Sequence, residues 1–430
     1  MMNVTMLLSS VALYVLTATT SKIHFANAFV SHSPIKDYGF QHRHASNKAT
    51  VVTLQSSSTS SISNDLPNVL CIGETLWDSL PSGIYLGGAP SNVAVHLAYL
   101  FNAPASSSDI KAAESNNNRP TVAVAASLGK DQLGKEALRR LALNGVRTDY
   151  VQFHPAWETG MATALLDING DATYEFNTPA AWDGLCLDPN LTHLIQQVQE
   201  QTDDQEGEEE NHVLFVMGTI VGRLHNDHGA TSLSTLMTVR NAAPEGTVVL
   251  DINLRSPWYT DETVLELARG SSSGKDNKKK KLALLKVNEE ELAILEQWCG
   301  IDTTNADDLF GGALKTRMEQ LAQSINTQRI CVTRGEEGAA LWCDDDGNAA
   351  ASFDENPGYS LPNKDSDSDT VGAGDAFLAS LINSLFIHGE TSGTALERAC
   401  ALGGYVAGCR GATPMHVDAP DTLRNVFSII

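Results

Sequence analysis

Residues 369–377, with the sequence DTVGAGDAF, combine two glycines and a carboxylate where a polar stretch passes into an apolar one. The apolar residues 376–386 predict a helix, so Gly372 and Gly374 would lie at its N-terminus, where unpaired amides and the helix dipole attract anions. Asp375 falls in the same first turn, and a carboxylate beside an anion pocket can take a proton from a hydroxyl group. The pocket would hold the negative charge of a transferred phosphoryl group, so these nine residues predict phosphoryl transfer to an alcohol.

A second group of polar residues and glycines lies near the start of the folded part, in the strings GETLWD and LGGAPSNVA. Asp78 follows the first predicted strand, where α/β proteins expose ligand-binding groups. Gly87 and Gly88 would let the backbone approach a small polyol, and Asn92, on the first turn of a predicted helix, offers both a donor and an acceptor. Taken alone, Asp78 is equally well explained as a turn residue or helix cap, and the two glycines as a simple turn.

Short apolar runs that alternate with helical patterns must position these residues. Strands that are apolar along their whole length and separated by helices predict a mostly parallel sheet covered on both faces, an α/β fold. The predicted strands are residues 69–72, 122–126, 213–217, 248–252, 282–287 and 330–333.

A pair of short segments differs from these runs because apolar and polar residues alternate with period two. Residues 161–167 and 172–176 flank an Asn-Gly turn, which predicts a hairpin and so a small β flap beside the main sheet. Such a flap could close over a substrate. Three polar segments between the elements are predicted to be surface loops. They are residues 102–120, 202–212 and 270–281.

The composition excludes several classes of protein. The chain has 430 residues, 42% of them apolar, and 52 acidic against 29 basic side chains give a formal net charge of -23. We therefore expect no nucleic-acid partner, and the Lys278–Lys281 run is predicted to be a solvated loop. The seven cysteines are an odd number without a C-x-x-C pair, which indicates reduced thiols, mostly in the core.

The first 64 residues have the composition of targeting segments. The apolar stretch 4–18 is too short to span a bilayer and predicts a signal peptide, residues 1–28, with small residues before the cleavage point. Residues 29–64 are rich in Ser, Thr and His and poor in acids, as in transit peptides. The Ala-Asn-Ala-Phe junction resembles the bipartite presequences of algae with secondary plastids. The expected location is the plastid, without stable membrane insertion after processing, and the alternative is secretion.

The two glycine-containing strings resemble the two signatures of the ribokinase-like (PfkB) family of carbohydrate kinases, with fructokinase-like members nearest. The resemblance runs from Val69 to about Pro414. It implies a three-layer α/β/α kinase domain at residues 66–430, with a mostly parallel central sheet and a small β lid from about 79–87 and 160–178. Further matches follow in family order: SLGKD at 127–131, LNGV at 143–146, DINLR at 251–255, NEEE at 288–291 and TRGEEG at 333–338.

The resemblance also implies roles for the residues that match the two signatures. Asp375 would be the catalytic base, and the backbone amides that follow Gly372 would form the anion hole. The implied anion-hole residues are Gly372, Ala373 and Gly374, with the amide of Asp375. The implied sugar-binding residues are Asp78, Gly87, Gly88 and Asn92.

For ATP and metal ions, the resemblance implies a second set of residues. ATP would be bound by Arg255, Asn288, Thr333 and Gly335, and the Arg255 guanidinium could pair two oxygens of the transferred phosphate. Magnesium would be organised by Glu291 through water. A monovalent cation, potassium, would lie at Asp369 and the Val371 carbonyl. The family also leaves room for a homodimer that forms through the lid.

These implications lead to one expected activity and two kinds of alternative. The expected activity is ATP-dependent phosphorylation of a sugar, with fructose to fructose 6-phosphate first, because Gly-Gly-Ala-Pro followed by Ser-Asn-Val-Ala is similar to the fructokinase signature. Other acceptors of the family stay open: ribose, 2-keto-3-deoxygluconate or a nucleoside. A non-catalytic plastid scaffold with the kinase fold is the second alternative. Trp182 and Asp183 could face the sugar or be a packed side chain and a helix cap.

A P-loop is the competing motif in this sequence. Residues 129–135 match G-x-x-x-x-G-K, but Glu136 stands where a P-loop needs the Ser or Thr whose hydroxyl binds magnesium. A carboxylate at that position would also repel phosphate, so no P-loop is predicted.

Overall fold

The computed structural model describes most of the chain beyond the predicted leader. The described residues are 65–103, 119–166, 172–204, 212–224, 227–270, 281–302, 309–344, 351–359 and 370–427. The predicted signal and transit segments, most of the three polar segments and Asp369 lie outside these ranges. The described residues all fall within one unit, residues 61–430.

Thirteen strands are present in the described residues. In chain order they are β1 (Val69–Ile72), β2 (Leu76–Leu80), β3 (Gly83–Gly87), β4 (Val122–Gly129), β5 (Arg147–His154), β6 (Gly160–Leu166), β7 (Ala172–Phe176), β8 (Leu214–Gly218), β9 (Val248–Asp251), β10 (Leu284–Asn288), β11 (Arg329–Thr333), β12 (Ala339–Cys343) and β13 (Ser352–Asn356).

Ten α-helices accompany these strands in the same described ranges. They are α1 (Ala89–Phe101), α2 (Gln132–Leu143), α3 (Pro189–Asp204), α4 (Ser232–Ala242), α5 (Asp261–Arg269), α6 (Glu289–Cys299), α7 (Gly311–Ile325), α8 (Ala373–Ile382), α9 (Ser392–Ala407) and α10 (Asp421–Phe427). A short π-helical turn, Asn383–Ile387, continues α8. Within the described part of the chain, no helix has the length and apolar character needed to cross a membrane.

The central sheet has nine strands in the order β13-β12-β11-β10-β9-β8-β1-β4-β5. The seven strands from β11 to β5 pair in parallel, and β12 and β13 complete the sheet in antiparallel pairing. Each of the six predicted strands is found among the parallel ones, with ends shifted by up to three residues. The predicted mostly parallel α/β fold is confirmed.

Both faces of the sheet are buried, as continuous apolar strands require. In β1, Leu70 and Ile72 belong to one hydrophobic cluster, whereas Val69 and Cys71 belong to a second. Because alternate residues of a strand point to opposite faces, the two clusters lie on opposite sides of the sheet. The helices that cover them complete the three-layer architecture.

A separate four-stranded sheet has the order β3-β2-β6-β7. Strands β6 and β7 pair antiparallel, as the alternating segments predict, and β2 joins them by parallel pairing with β6. The turn of the predicted hairpin lies outside the described residues. Asp78 differs from expectation in its setting: it lies within β2 of this small sheet, because residues 76–80 fold back onto β3.

Cysteines are free thiols in the structure. Four of the seven, Cys71, Cys331, Cys343 and Cys400, are buried, in agreement with the predicted core thiols. Cys186 is exposed. Burial raises the pKa of the Cys71 thiol, so this side chain stays protonated and unreactive at neutral pH.

Candidate active site

The N-terminus of α8 begins at Gly372, which adopts a left-handed backbone conformation with φ 77°. A Cβ atom at this position would lie 2.5 Å from Ala412 Cβ, so both the conformation and the available space require glycine. The amide of Ala376 donates to the Gly372 carbonyl at 2.9 Å, which sets where the helical hydrogen bonds begin.

The first turn of α8 presents backbone amides before that point. The amide of Ala373 donates to the Thr370 carbonyl at 3.3 Å, so it already has a partner in the turn. The amides of Gly374 and Asp375 precede the first helical hydrogen bond, as amides in a first turn do. Of the predicted anion-hole residues, Gly374 therefore places its amide, with that of Asp375, at the open end of the helix, while Gly372 shapes the turn.

Asp375 is buried, with 9% of its surface exposed. Its Oδ2 accepts a hydrogen bond of 2.8 Å from Asn92 Nδ2. Burial raises the pKa of Asp375 to about 6, against the opposing effect of the Asn92 hydrogen bond, and the nearby Asp251 carboxylate raises it further. The group is thus largely deprotonated at neutral pH while having a pKa close enough to 7 for proton transfer.

Asn92 lies on the first turn of α1, as predicted, and is 4% exposed. Its Nδ2 binds Asp375, but its Oδ1 is buried and has no hydrogen-bond partner among the described residues. A buried acceptor without a partner is costly, so this oxygen is suited to a ligand hydroxyl.

A cavity of about 300 Å³ connects Asn92 and Asp375 with the small sheet. Strands β6 and β7 contribute Ala162, Tyr174 and Phe176 to its wall. Three further residues in its wall, none of them singled out from the sequence as site residues, are Glu74, Asp251 and Lys286. The predicted site residues that line it are Asp78, Gly88, Asn92, Arg255, Val371, Gly372, Gly374 and Asp375.

The two glycines at 87 and 88 have different roles. Gly87 does not line the cavity, but a Cβ atom on it would lie 2.0 Å from Asp78 Oδ2. Its missing side chain therefore makes room for the Asp78 carboxylate. Gly88 has φ 100°, and a Cβ atom there would lie 2.4 Å from the Glu74 carbonyl oxygen, so it brings the start of α1 close to the end of β1.

Lys286 and Asp251 form a buried ion pair in the cavity wall. They are register partners on β10 and β9, and Lys286 Nζ lies 2.9 and 3.0 Å from the two carboxylate oxygens. A Cβ atom on Gly374 would lie 3.4 Å from that Nζ, which places the ammonium group beside the α8 N-terminus. Burial alone would lower the pKa of Lys286, but the carboxylates of Asp251 and Glu291 outweigh it and raise the pKa. The lysine within the apolar segment 282–287 was the available sequence signal.

Glu74 also lines the cavity and is 3% exposed. Its Oε1 accepts a hydrogen bond of 2.8 Å from the amide of Ala89, at the start of α1. Burial raises the pKa of Glu74 to about 7. The glutamate within GETLWD was the sequence signal for this residue.

Glu291 and Asn288 connect the start of α6 to the loop after β9. Glu291 accepts from the amides of Leu254, at 2.7 Å, and Asn288, at 2.9 Å, while Asn288 Oδ1 accepts from the Glu291 amide at 2.8 Å. This capping arrangement holds the exposed Arg255 next in the chain. Asn288 and Glu291 line neither this cavity nor the one described next. Asn288 is nevertheless the register partner of Thr333 on β11, and Glu291 binds the amide next to Arg255, so both lie beside other predicted nucleotide residues.

The carboxylates near the cavity already have protein partners, and the role at magnesium through water implied for Glu291 stays a prediction. Glu291 uses both carboxylate oxygens on backbone amides, and Asp251 is paired with Lys286. Across the described ranges, no three Asp, Glu, His or Cys side chains converge in a way that could hold a metal ion. Of the two residues implied for a monovalent cation, Val371 lines the cavity and Asp369 is outside the described residues.

A second cavity, of about 410 Å³, adjoins the first at Thr370 and Gly374, which line both. Two predicted nucleotide residues, Thr333 and Gly335, lie in its wall. The rest of the wall is partly apolar, with Tyr359, Phe377, Cys400 and Ala407. The α8 N-terminus thus lies between two cavities, one polar and acidic and the other partly apolar.

Trp182 and Asp183 lie away from both cavities. Trp182 is fully buried, and Asp183 accepts from the Ala180 amide and pairs with the buried Arg223 at 2.7 Å. The Arg223 guanidinium also stacks on the Trp182 ring, at 3.9 Å from its centroid. Of the two interpretations open from the sequence, the packed tryptophan and the capping aspartate fit the structure.

The dismissed P-loop match has a structural role as well. Asp131 caps α2 by accepting from the Gly134 amide at 2.7 Å and also binds the amide of Thr159 at 2.7 Å. A carboxylate therefore occupies the helix N-terminus where a P-loop would bind phosphate.

The sequence of this chain is similar to those of a known protein family. The model of the pfkB family carbohydrate kinases matches residues 83–201 and 229–419, more than half of the chain. Probable fructokinase-6, chloroplastic, of Arabidopsis thaliana is 25% identical over 370 residues, which cover 81% of this chain and 79% of the relative. Fructokinase-2 of Oryza sativa subsp. japonica is 26% identical over 369 residues, with 81% and 90% covered.

Solved structures show the same fold at lower identity. A fructokinase from Xylella fastidiosa with bound ATP superposes with a TM-score of 0.54 at 19% identity, covering 81% of this chain and 96% of that chain. A fructokinase double mutant from Vibrio cholerae O395 with fructose, ADP and a potassium ion gives 0.54 at 19% identity, with 84% and 98% covered.

Proposed function

The chain belongs to the PfkB family of carbohydrate kinases, and on that basis we propose that it phosphorylates fructose to fructose 6-phosphate with ATP as the donor. The observation that carries this proposal is the position of Gly374 and Thr370 in the walls of both cavities. A phosphoryl group passing from a nucleotide in the 410 Å³ cavity to a sugar in the 300 Å³ cavity would cross the α8 N-terminus. The 300 Å³ cavity is called the sugar cavity below.

The residues around this crossing point suit each part of the transfer. Asp375 takes the proton of the attacking sugar hydroxyl, whose oxygen forms a bond to the γ-phosphorus as the bond to the departing ADP breaks. The amides of Gly374 and Asp375 bind the oxygens of the transferred group. Lys286 and Arg255 add positive charge on the same side, since both line the sugar cavity.

Support for fructose comes from the relatives and from the cavity. The relatives named above are fructokinases. The cavity of about 300 Å³ offers acceptors, Asp78 and Asn92 Oδ1, that suit the hydroxyl donors of a neutral sugar.

A coupled ADP-release assay over fructose, glucose, ribose, 2-keto-3-deoxygluconate and adenosine tests the proposal. We expect the highest kcat/KM with fructose, and phosphate on the 6-hydroxyl of the product. A higher kcat/KM with another acceptor would reassign the substrate within the family. No turnover with any acceptor would favour the non-catalytic scaffold, against which Gly372, Gly374 and Asp375 are all in place.

Magnesium enters this proposal with the nucleotide, as the magnesium complex of ATP that kinases use as substrate. Its charge neutralises phosphate oxygens in that complex. The chain's own residues then bind, orient and deprotonate, as described above. The potassium site at Asp369 and Val371 stays a prediction, and its test is kcat in potassium against sodium at equal ionic strength.

Two proposals concern the protein beyond its site. We propose that residues 1–64 direct the protein to a plastid, as the sequence suggests and as the name of the Arabidopsis relative states for that protein. We also propose a homodimer through the small sheet, where Ile84 is 56% and Tyr174 37% exposed. Light scattering at micromolar concentration should give twice the chain mass, and a single chain mass would contradict the dimer.

A further inference from the structure

Glu74, in the connection between β1 and β2, has one carboxylate oxygen with a partner and one without. Oε1 accepts from the Ala89 amide at 2.8 Å. Oε2 is buried and has no hydrogen-bond partner among the described residues. An unpartnered carboxylate oxygen at 3% exposure is costly to maintain, so its surroundings must supply a partner at some stage of the protein's function.

The sugar cavity can supply a hydrogen-bond partner for Oε2. Glu74 lines it together with Asp78, Asn92 and Asp375. Asn92 Oδ1 is the other buried acceptor in this wall without a partner. Two unpartnered acceptors in the wall of one cavity match a ligand that carries several hydroxyl donors.

We propose, on the basis of the sugar kinase function above, that Glu74 is a sugar-binding residue. Its Oε2 forms a hydrogen bond with a hydroxyl of the bound sugar, while Oε1 remains on the Ala89 amide. The residue thereby couples sugar binding to the start of α1, the helix that also carries Asn92 and, through it, orients Asp375.

The protonation of Glu74 is compatible with this role. Burial raises the pKa of its carboxyl group to about 7, against the opposing effect of the backbone amides of Glu74 and Ala89, and the Asp375 carboxylate adds to the effect of burial. Near neutral pH, Oε2 can therefore accept a hydrogen bond as a carboxylate or donate one as an acid. The binding comparisons are therefore made at pH 8, above this pKa, where Oε2 is mostly ionised and accepts from a sugar hydroxyl. The NH2 group of glutamine cannot accept that bond.

A buried water is the competing occupant. A small cavity of about 10 Å³ adjoins Glu74 and is also lined by Thr219, Asp251 and Asn253. It is close to the smallest volume that holds one water molecule, about 10–15 Å³. A water there would satisfy Oε2 with or without sugar, so the experiment must separate the two occupants.

The Glu74→Gln variant makes this separation, because glutamine keeps an oxygen for the Ala89 amide and places an NH2 group at the position of Oε2. We expect the fructose Kd from calorimetry and the fructose KM to rise about ten- to a hundred-fold, the scale of a hydrogen bond to a charged group. The KM for ATP and the melting temperature should stay close to those of the wild type. Glu262→Gln, at an exposed position in the first turn of α5, is the matched control and should change none of these values.

Glu74→Asp provides a second variant that keeps the charge and withdraws the oxygens by one methylene group. It should also weaken fructose binding with little effect on ATP. If the full chain carrying either folded variant binds fructose within about twofold of the wild type, Oε2 does not contact the sugar and the inference is wrong.

Binding and turnover of the wild type distinguish a failure of the inference about Glu74 from a failure of the proposed function. If the wild type phosphorylates another sugar of the panel, the same comparison is made with that sugar. If it neither binds nor phosphorylates any of them, the proposed function and the inference both fail. If the wild type binds and phosphorylates a sugar of the panel, and both Glu74 variants bind that sugar as tightly as the wild type, only the inference about Glu74 fails.

Discussion

The side-chain amide of Asn92 donates a hydrogen bond of 2.8 Å to the carboxylate of Asp375, although 283 positions separate the two residues in the chain. The contact joins the first turn of α1 to the first turn of α8, and both residues line the same cavity. It links the residue proposed to bind a sugar hydroxyl to the residue proposed to deprotonate one.

The pH dependence of turnover should report on this contact. Asp375 must be ionised to act as a base and its pKa in the ligand-free protein is raised to about 6, so kcat/KM for fructose should fall about tenfold per pH unit below that value and level off above it. The Asn92 hydrogen bond favours the charged form, so its loss in Asn92→Ala should move the midpoint to higher pH. Profiles of kcat/KM for fructose from pH 5 to 9 would measure this. A midpoint that stays fixed or moves to lower pH would disagree with the assignment.

Substitutions in the buried pair of Lys286 and Asp251 should affect the free energy of unfolding and kcat differently. Lys286→Met leaves the Asp251 carboxylate buried without its partner, which should cost about 3–5 kcal/mol in the free energy of unfolding. The double variant Lys286→Met with Asp251→Asn removes both charges and should recover much of that loss. Its kcat should nevertheless remain reduced about 10²–10³-fold, because the ammonium beside Gly374 is missing. Urea unfolding and steady-state kinetics would test both points, and wild-type kcat in the double variant would exclude Lys286 from the transfer.

A substitution at Gly87 should weaken sugar binding, although Gly87 itself does not line the sugar cavity. A Cβ atom on Gly87 would lie 2.0 Å from Asp78 Oδ2, so Gly87→Ala must displace that carboxylate from the cavity. We expect the sugar KM to rise about ten- to a hundred-fold in Gly87→Ala and in Asp78→Ala, with the ATP KM unchanged. Gly312→Ala in α7 is the control, because a Cβ atom there meets nothing within 4 Å. An unchanged sugar KM in Asp78→Ala would remove Asp78 from the site.

The leader should be separable from the kinase. All the site residues described above lie beyond residue 64, so a chain that starts at residue 65 should fold and retain the kcat of the processed protein. A fusion of residues 1–64 to a fluorescent protein should enter the plastid in an alga with a secondary plastid, and Phe29→Ala should divert it. Signal throughout the cytosol would reject the presequence, and signal in the medium would favour secretion.

Much of the fold could be predicted because six of the seven parallel strands are largely apolar, and such segments have few alternatives to burial in a two-faced sheet. The seventh, β5, carries polar residues such as Arg147 and Asp149 and was not predicted. Asp78 was harder to place. Residues 76–80 pair with β3 and β6, and the pairing with β6 depends on a segment about 80 residues further along the chain. A local pattern cannot show that partner.

The site was predicted where function depends on local backbone. The predicted anion pocket depends on glycines at the start of one helix, whereas the positions of Lys286 and Glu74 depend on partners from other elements. Asn288 and Glu291 form a helix cap in the structure, and their predicted roles at ATP and magnesium stay predictions. Polar residues at the end of a strand can cap the next helix or bind a ligand, and only the folded arrangement distinguishes the two.

The measurement that tests the central claim most directly compares wild type and Asp375→Asn for fructose binding and for turnover with fructose and ATP. Asparagine has nearly the same shape as aspartate but cannot accept the sugar proton. We predict that the wild type forms fructose 6-phosphate and that the variant loses about 10²–10⁴-fold in kcat while fructose affinity remains close to that of the wild type. Turnover near the wild-type rate in Asp375→Asn would contradict the account.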